Sequence, residues 1–404
     1  MAAGDSGKRV RGKFLRRRLL PFVAWSFAVL GLLVAAQFVI GRVATDRSYV
    51  TQYIWWIPAA FSLLTAWFLL VVSWLAGWAS LRTKGVMLRP VLLLACLVLT
   101  GWLTVGEWKL HRYITGGGSA EPSDRSLRVL HWNLSANKIR ENGYWSSMLD
   151  TQSDIVLLAN TRWGSDQRTV LRSLAPMAPA EEWFEAAPRY NLLGQPGHFF
   201  ITHRGMIASR FPIVRAGVVS AGPLVNNDNE TRPSGEHGWV IFAEFDRRSP
   251  GALEPDLFVV WLVDLPSDPE TWRMDSMREM RGVIQAWDGR AFLPEDDGWG
   301  RVLSDGGFPT PDLVIGDFNA LRGSASVDVL APGYQDAFDA AGRGFGRSWL
   351  PSTKNKLLRQ PIKLTNWQID LAMVAPDWRT VGYELVNPGR GPHWVQIVDL
   401  AVQD

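Results

Sequence analysis

The stretch Pro311-Asp312-Leu313-Val314-Ile315-Gly316-Asp317-Phe318-Asn319-Ala320 decides how this chain is read. Leu313 to Ile315 is a short apolar run of the kind that forms a buried strand, and Gly316 ends it with a turn. The turn presents Asp317 and Asn319 two residues apart, so both side chains can leave the strand end toward one pocket. There a carboxylate can take a proton from water and an amide can donate to a phosphoryl oxygen. Asp and Asn after Gly are also ordinary turn residues. What surrounds the stretch tips the balance toward chemistry.

Working outward, apolar runs bounded by turn residues predict strands at Leu127–Trp132, Asp154–Leu158, Met206–Ser209, Trp239–Phe245, Leu257–Val263, Ile369–Val374 and Trp394–Val402. Helices are expected over Asn142–Thr151 and Asp268–Trp287, the second with Trp272, Met277, Met280, Ile284 and Trp287 at helical spacing. Strands mixed with helices, in a stretch of about 280 residues that can bury a large core, predict an α/β or α+β sandwich.

The strand ends form an ordered series. Leu127-Arg128-Val129-Leu130-His131-Trp132-Asn133 opens it, followed by Ser153-Asp154-Ile155-Val156-Leu157-Leu158 and Gly205-Met206-Ile207-Ala208-Ser209-Arg210-Phe211-Pro212-Ile213. Then come Gly316-Asp317-Phe318-Asn319-Ala320, Asp336-Ala337-Phe338 through Gly346-Arg347-Ser348-Trp349, Ile369-Asp370, and Gly391-Pro392-His393. In this order and spacing the series resembles the endonuclease/exonuclease/phosphatase superfamily over roughly residues 127–402. The resemblance implies a four-layer αββα sandwich of two mixed sheets, with the pocket at one end of the sheets. It also implies a divalent cation, Mg²⁺ or Mn²⁺, that polarises a phosphoryl oxygen while water attacks phosphorus in line. By the same resemblance Asp317 is the base or water-positioning carboxylate, and Asn319 and Asn133 bind phosphoryl oxygens. His393 faces the phosphoryl group, oriented by Asp370.

The departures from the family pattern fall on the metal side. The Glu that usually follows the second strand is Asn160, the Asp of the Ser-Asp-His end is Pro392, and Ser135 stands two residues beyond Asn133. Asp264 ends Val260-Trp261-Leu262-Val263-Asp264, where the family often has His. Asn160 and Asp264 are therefore the candidate metal residues, although a neutral amide substitutes poorly for a carboxylate around a hard dication. Three readings stay open. The chain is a phosphoesterase with a rearranged metal site charged by Asp264 or Asp317; or Arg162 supplies a fixed cation beside the phosphoryl group; or the domain is an inactive module that binds a phosphate-bearing ligand.

The N-terminal third is of another kind. Three uncharged apolar segments, Leu19–Gly41, Tyr53–Leu81 and Pro90–Gly106, are long enough to cross a hydrocarbon core. Trp55, Trp56, Trp78 and Trp108 sit near their ends, as interface-anchoring aromatics do. The expected organisation is a basic cytoplasmic start (1–18), a three-helix anchor in the lipid bilayer (19–110), a Gly/Ser/Pro-rich linker (111–126) and the sandwich domain (127–404). Arg16-Arg17-Arg18 before the first segment, and Arg82, Lys84 and Arg89 between the second and third, place the N-terminus in the cytoplasm. Three crossings then put everything after Trp108 outside. Of the net charge of +3, residues 1–18 contribute +6 and residues 19–126 contribute +4, which leaves −7 for the sandwich domain. That balance argues against long nucleic acid as a partner, because such binding draws on clustered cations. One cluster exists, Arg347, Lys354, Lys356, Arg359 and Lys363, suited to a polyanion, a membrane headgroup or plain solvation.

Overall fold

The computed structural model describes residues 19–80, 87–115, 126–135, 151–160, 199–201, 205–221, 224–227, 230–233, 238–248, 251–268, 270–291, 301–302, 307–350, 367–389 and 391–403. They divide into two units, one reaching His111 and one beginning at Arg112.

In the first unit, three helices are long and apolar enough to cross a membrane: Leu20–Ala44, Ala59–Ala79 and Leu88–Glu107, with mean hydropathies of 2.2, 2.0 and 1.9. The labels here are α1 (Leu20–Ala44), α2 (Tyr49–Trp56), α3 (Ala59–Ser80) and α4 (Leu88–Gly101). The second apolar segment, expected to run unbroken from Tyr53, is split: Ile57 turns to an extended conformation before Pro58, whose missing N–H and ring disfavour a continuous helix. What precedes it becomes α2, opened by a capping box between Ser48 and Thr51. On α1, Ala24, Ala28, Gly31 and Ala35 are buried, while Phe22, Leu30, Leu33 and Val43 face outward. Small residues inside and large apolar ones outside is the pattern of helices packed within lipid. Arg42 joins the helices laterally: it pairs with Glu107 and its guanidinium lies 4.2 Å from the Trp55 ring centroid.

The second unit starts with a helical turn, α5 (Arg112–Thr115), inside the stretch expected to be linker. Arg112 donates to the carbonyls of Phe338, Asp339 and Gly342 at 3.2, 2.7 and 2.6 Å, so part of that stretch is bound to the domain that follows.

Two six-stranded mixed sheets make up this unit. The first contains β1 (Leu127–Asn133), β2 (Ile155–Ala159), β3 (Phe199–Ile201) and β4 (Gly205–Ser209). The second contains β5 (Ile213–Ser220), β6 (Trp239–Asp246), β7 (Leu257–Asp264), β8 (Leu313–Asp317), β9 (Gln335–Asp336) and β10 (Asp370–Val374). The chain then returns to the first sheet with β11 (Trp378–Val386) and β12 (Val395–Val402). Strand orders are β11-β12-β1-β2-β4-β3 and β9-β10-β8-β7-β6-β5. Two short hairpins, Leu224–Asn227 with Glu230–Pro233 and Arg290–Ala291 with Arg301–Val302, stand outside both sheets.

Val129, Ile155, Leu157 and Val398 of the first sheet share one apolar core with Ile241, Val260, Ile315 and Val374 of the second, so the sheets lie face to face. Each such side chain, fully buried, contributes about 1.5–3 kcal/mol. The outer face of the second sheet is covered by α6 (Arg273–Gln285) and α7 (Val327–Leu330), whose Met277, Met280, Ile284 and Leu330 pack on Val240, Phe242 and Val314. The helix expected over Asp268–Trp287 begins later because Trp272 is still extended. A further turn, α8 (Ala337–Ala341), follows β9. The helix expected at Asn142–Thr151 lies outside the described residues except for Thr151, which is a turn.

Each sheet contains one parallel pair, β1 with β2 and β7 with β8. Parallel neighbours end together. Asn133 is in register with Ala159, next to Asn160, and Asp317 is in register with Asp264. The carboxyl ends of both pairs form one rim, the position where open α/β sheets place ligands.

Candidate active site

Gly316 sets the approach of β8 to β7. Its φ is +150°, and a Cβ there would lie 2.0 Å from the carbonyl oxygen of Val263, so only glycine permits the two strands to close at their ends. That closure sets Asp317 beside Asp264. On the other flank, β10 runs antiparallel to β8 with Asp370 opposite Asp317. Three carboxylates thus stand in a row on adjacent strands of one sheet. The first sheet contributes Asn133 from the end of β1, Asn160 after β2, and His393 just before β12. Ser135, Asn160 and Asn319 have φ of 47°, 54° and 46°. Left-handed backbone at non-glycine residues costs on the order of 1–3 kcal/mol where it is strained, and such residues gather where side chains must be aimed.

The contacts fall into two groups. In the first, His393 Nδ1 lies 2.9 and 3.1 Å from the two oxygens of Asp370, and His393 Nε2 lies 3.8 Å from Asp317 Oδ2. Ser348 Oγ accepts from the N–H groups of both Ile369 and Asp370 at 2.9 Å, which fixes the backbone that carries Asp370. In the second, Asn133 Nδ2 donates to Asp317 Oδ2 at 2.8 Å, and Asn160 Nδ2 donates to Asn133 Oδ1 at 3.0 Å and to Asp264 Oδ1 at 3.1 Å. The N–H of Ser135 also reaches Asn133 Oδ1, at 2.9 Å. Asp317 Oδ1 accepts from the N–H of Asn319 at 2.9 Å, and Asn319 Nδ2 donates to the Leu265 carbonyl at 2.7 Å.

Charge in this space is unbalanced. Burial opposes ionisation of His393, but Asp370, and then Asp317 and Asp264, outweigh it and push the imidazole up to about 9. It is an imidazolium at neutral pH. Burial, followed by the fields of Asp370 and Asp264, holds the Asp317 carboxyl well above the usual carboxylate range, against the opposing pull of His393. Among the described residues, Asp370, Asp317 and Asp264 all act on the His393 imidazole.

The structure brings together Asp317, Asn319, Asp370, His393, Asn133, Asn160 and Asp264 among the residues singled out from the sequence. Arg162 lies outside the described residues. Asn133, expected on phosphoryl oxygens, here holds Asp317 and links it to Asn160. Ser348 was quoted in the motif series without a role; a serine before a tryptophan carries no signal of the two backbone groups it ties down. His131 also went unremarked, although a histidine inside an apolar strand is a signal in itself.

Two arrangements can hold a cation. Asp317, Asp370 and His393 each offer an atom within 4.8 Å of the others, but Asp370 already holds the His393 proton there. The better fit is Asp264 with the amide carbonyl of Asn160, both oxygen donors suited to Mg²⁺ or Mn²⁺, with the Asp317 carboxyl in register beside Asp264. Asn160 turns its amide hydrogens toward Asp264, and the oxygen and nitrogen of an amide exchange places by a simple flip.

No protein-family model matches the chain, and no curated protein matches it. Among solved structures, an endonuclease/exonuclease/phosphatase from Beutenbergia cavernae is similar at 16% identity and a TM-score of 0.40, over 69% of this chain and 72% of that one. A mannosyl-6-phosphatase of Bacteroides thetaiotaomicron is similar at 15% and 0.39, over 68% and 99%. The human Nocturnin catalytic domain with bound sulfate is similar at 13% and 0.40, over 70% and 100%. Likeness of this degree carries no inference about what the chain does.

Proposed function

We propose that the chain is a membrane-anchored phosphoesterase of the endonuclease/exonuclease/phosphatase type, hydrolysing a phosphodiester or phosphomonoester. The observation that carries this reading is the convergence of Asp317, Asp370 and His393, from β8, β10 and the approach to β12, on one rim of the sandwich. Asp370 keeps His393 charged, so an imidazolium faces the place where negative charge grows as the ester bond breaks. Asp317 is held by Asn133 and the Asn319 N–H in position to orient water and take its proton. Asn319 has a second amide hydrogen with no partner among the described residues, available to a phosphoryl oxygen.

Asp264 and Asn160 are the residues that would hold Mg²⁺ or Mn²⁺. Bound there, the ion would polarise the phosphoryl oxygen and lower the proton affinity of Asp317. The apolar helices anchor the chain in a bilayer, with the N-terminus cytoplasmic and the sandwich on the outer side. Small phosphoesters and lipid headgroups are within reach there, and long polynucleotides are disfavoured by the charge of −7.

A second reading has its own observation. The amide hydrogens of Asn160 fill space where the family places a carboxylate, which suits an inactive module that binds a phosphate-bearing ligand. Purified full-length protein in detergent, given Mg²⁺ or Mn²⁺ and a generic phosphomonoester and phosphodiester, decides between them. Turnover that stops with EDTA supports the enzyme. No turnover in any metal, together with binding of inorganic phosphate, supports the module. EDTA-resistant turnover abolished by Arg162→Ala would instead point to a fixed cation.

A further inference from the structure

Site residues come from two sheets whose shared interior is almost wholly apolar, and apolar faces alone fix their relative position loosely. One polar array crosses that interior directly behind the site. Gln368 Nε2 donates to Tyr383 Oη at 3.1 Å, Tyr383 Oη donates to Gln396 Oε1 at 2.9 Å, and Gln396 Nε2 lies 3.0 Å from His131 Nδ1. Gln368 leads into β10 of the second sheet, whereas Tyr383, Gln396 and His131 belong to β11, β12 and β1 of the first. His131 and Gln396 have no exposed surface, and Gln368 is 3% exposed.

The donors in this array all point one way. With the Gln396 amide turned so that Oε1 accepts from the Tyr383 hydroxyl, its nitrogen meets His131, and Nδ1 is the acceptor in that arrangement. In that arrangement His131 is the neutral Nε2–H form. Its buried Nε2 has no hydrogen-bond partner among the described residues, and the fields of Asp370 and His393 reach the ring. A chain of bonds that polarise one another, ending on a proton near Asp370, ties the strand that carries Asn133 to the segment that carries Asp370.

We infer that His131 is a positioning residue: through Gln396, Tyr383 and Gln368 it sets the second sheet against the first, and so holds His393 and Asp370 in line with Asp317. This inference rests on the phosphoesterase reading for its kinetic consequence and on nothing beyond the geometry for its structural one. A purely packing role requires only bulk at these positions, so Tyr383→Phe, which keeps the ring and removes the oxygen, separates the two.

Full-length protein in detergent micelles is the sample. In Tyr383→Phe, kcat falls about tenfold with KM within about twofold, the signature of misalignment rather than lost binding. With ¹⁵N-labelled histidine, His131 gives the Nε2–H pattern, and the downfield proton shared by His393 and Asp370 shifts in the variant. If Tyr383→Phe fails to fold, His131→Phe shows the same loss and His131→Gln, which keeps an amide in the array, recovers most of it. Unchanged kcat and an unmoved His393 proton would overturn the inference, as would His131 carrying its proton on Nδ1. Absence of turnover in the parent protein sinks the phosphoesterase reading and leaves the decision to the proton resonance.

Discussion

On the side of the pocket formed by Asp370 and His393, a carboxylate meets an imidazolium at 2.9 Å and each offsets the other. On the side formed by Asn133, Asn160 and Asp264, neutral amides stand between carboxylates and supply hydrogen bonds without charge. The first side is complete as it stands. The second sets Asp264 and Asp317 side by side where burial, followed by the fields of Asp370 and Asp264, raises the Asp317 carboxyl.

The largest effects are expected on the charged side. His393→Ala and Asp317→Asn each lower kcat by at least about a hundredfold, the scale of losing electrostatic or general-base help. Asp370→Asn gives a loss of similar order because the imidazole loses the partner that charges it. Steady-state kinetics of the three variants test this. If Asp370→Asn stays within threefold of the parent while His393→Ala does not, the imidazolium is not held by Asp370, and the charged side is not self-sufficient.

How much of this was legible in the sequence follows from the same contrast. The buried strands announced themselves as apolar runs, and all eight expected strands are present within a residue or two. β5 was missed because Arg215 and Gly217 interrupt its run. β11 was missed because a bulge between Thr380 and Gly382 shifts its alternation mid-strand, so Trp378 and Tyr383 share a face without fitting one period. Asp317, Asp370 and His393 could be named because the short stretches that carry them fall in the order of the series that resembles the family, Asp317 closing one strand, Asp370 opening another and His393 standing before the last. The amide network could not: that Asn160 bonds to both Asn133 and Asp264 depends on the facing of two sheets, which no local pattern records.

Restoring charge on the amide side gives the next effect in size. Asn160→Glu exchanges a donor amide for an anionic oxygen beside Asp264. Mn²⁺ affinity, followed by electron paramagnetic resonance in titrations, rises about ten- to hundredfold, as expected when a charged ligand completes a site. Asn160→Ala, which removes the amide without adding charge, leaves affinity unchanged or lower. If Glu and Ala behave alike, the ion does not bind at Asn160, and the difference between the two sides has another meaning.

The smallest effect is on stability and is read from its dependence on pH. A group that is easier to protonate when folded contributes stability that is complete below its unfolded value and is lost as pH rises through its folded value. For His393 that window runs from the ordinary 6.5 up to about 9. Asp317, also raised, acts in the same direction. His131 is the opposite case. Burial lowers it from 6.5 to about 4, so its contribution is complete above 6.5 and is lost as pH falls toward 4. Thermal midpoints of the full chain should therefore decline between pH 6.5 and 9, on the order of 2–4 °C for each kcal/mol lost. Replacing His393 with Gln removes the His393 share of that limb and leaves the share of Asp317. Replacing His131 with Phe leaves the alkaline limb intact and softens only the acid limb, because the proton taken up by the unfolded chain is no longer available. An alkaline limb undiminished in His393→Gln would mean that the Asp370 side carries no standing charge pair, and the contrast between the two sides of the pocket would fall with it.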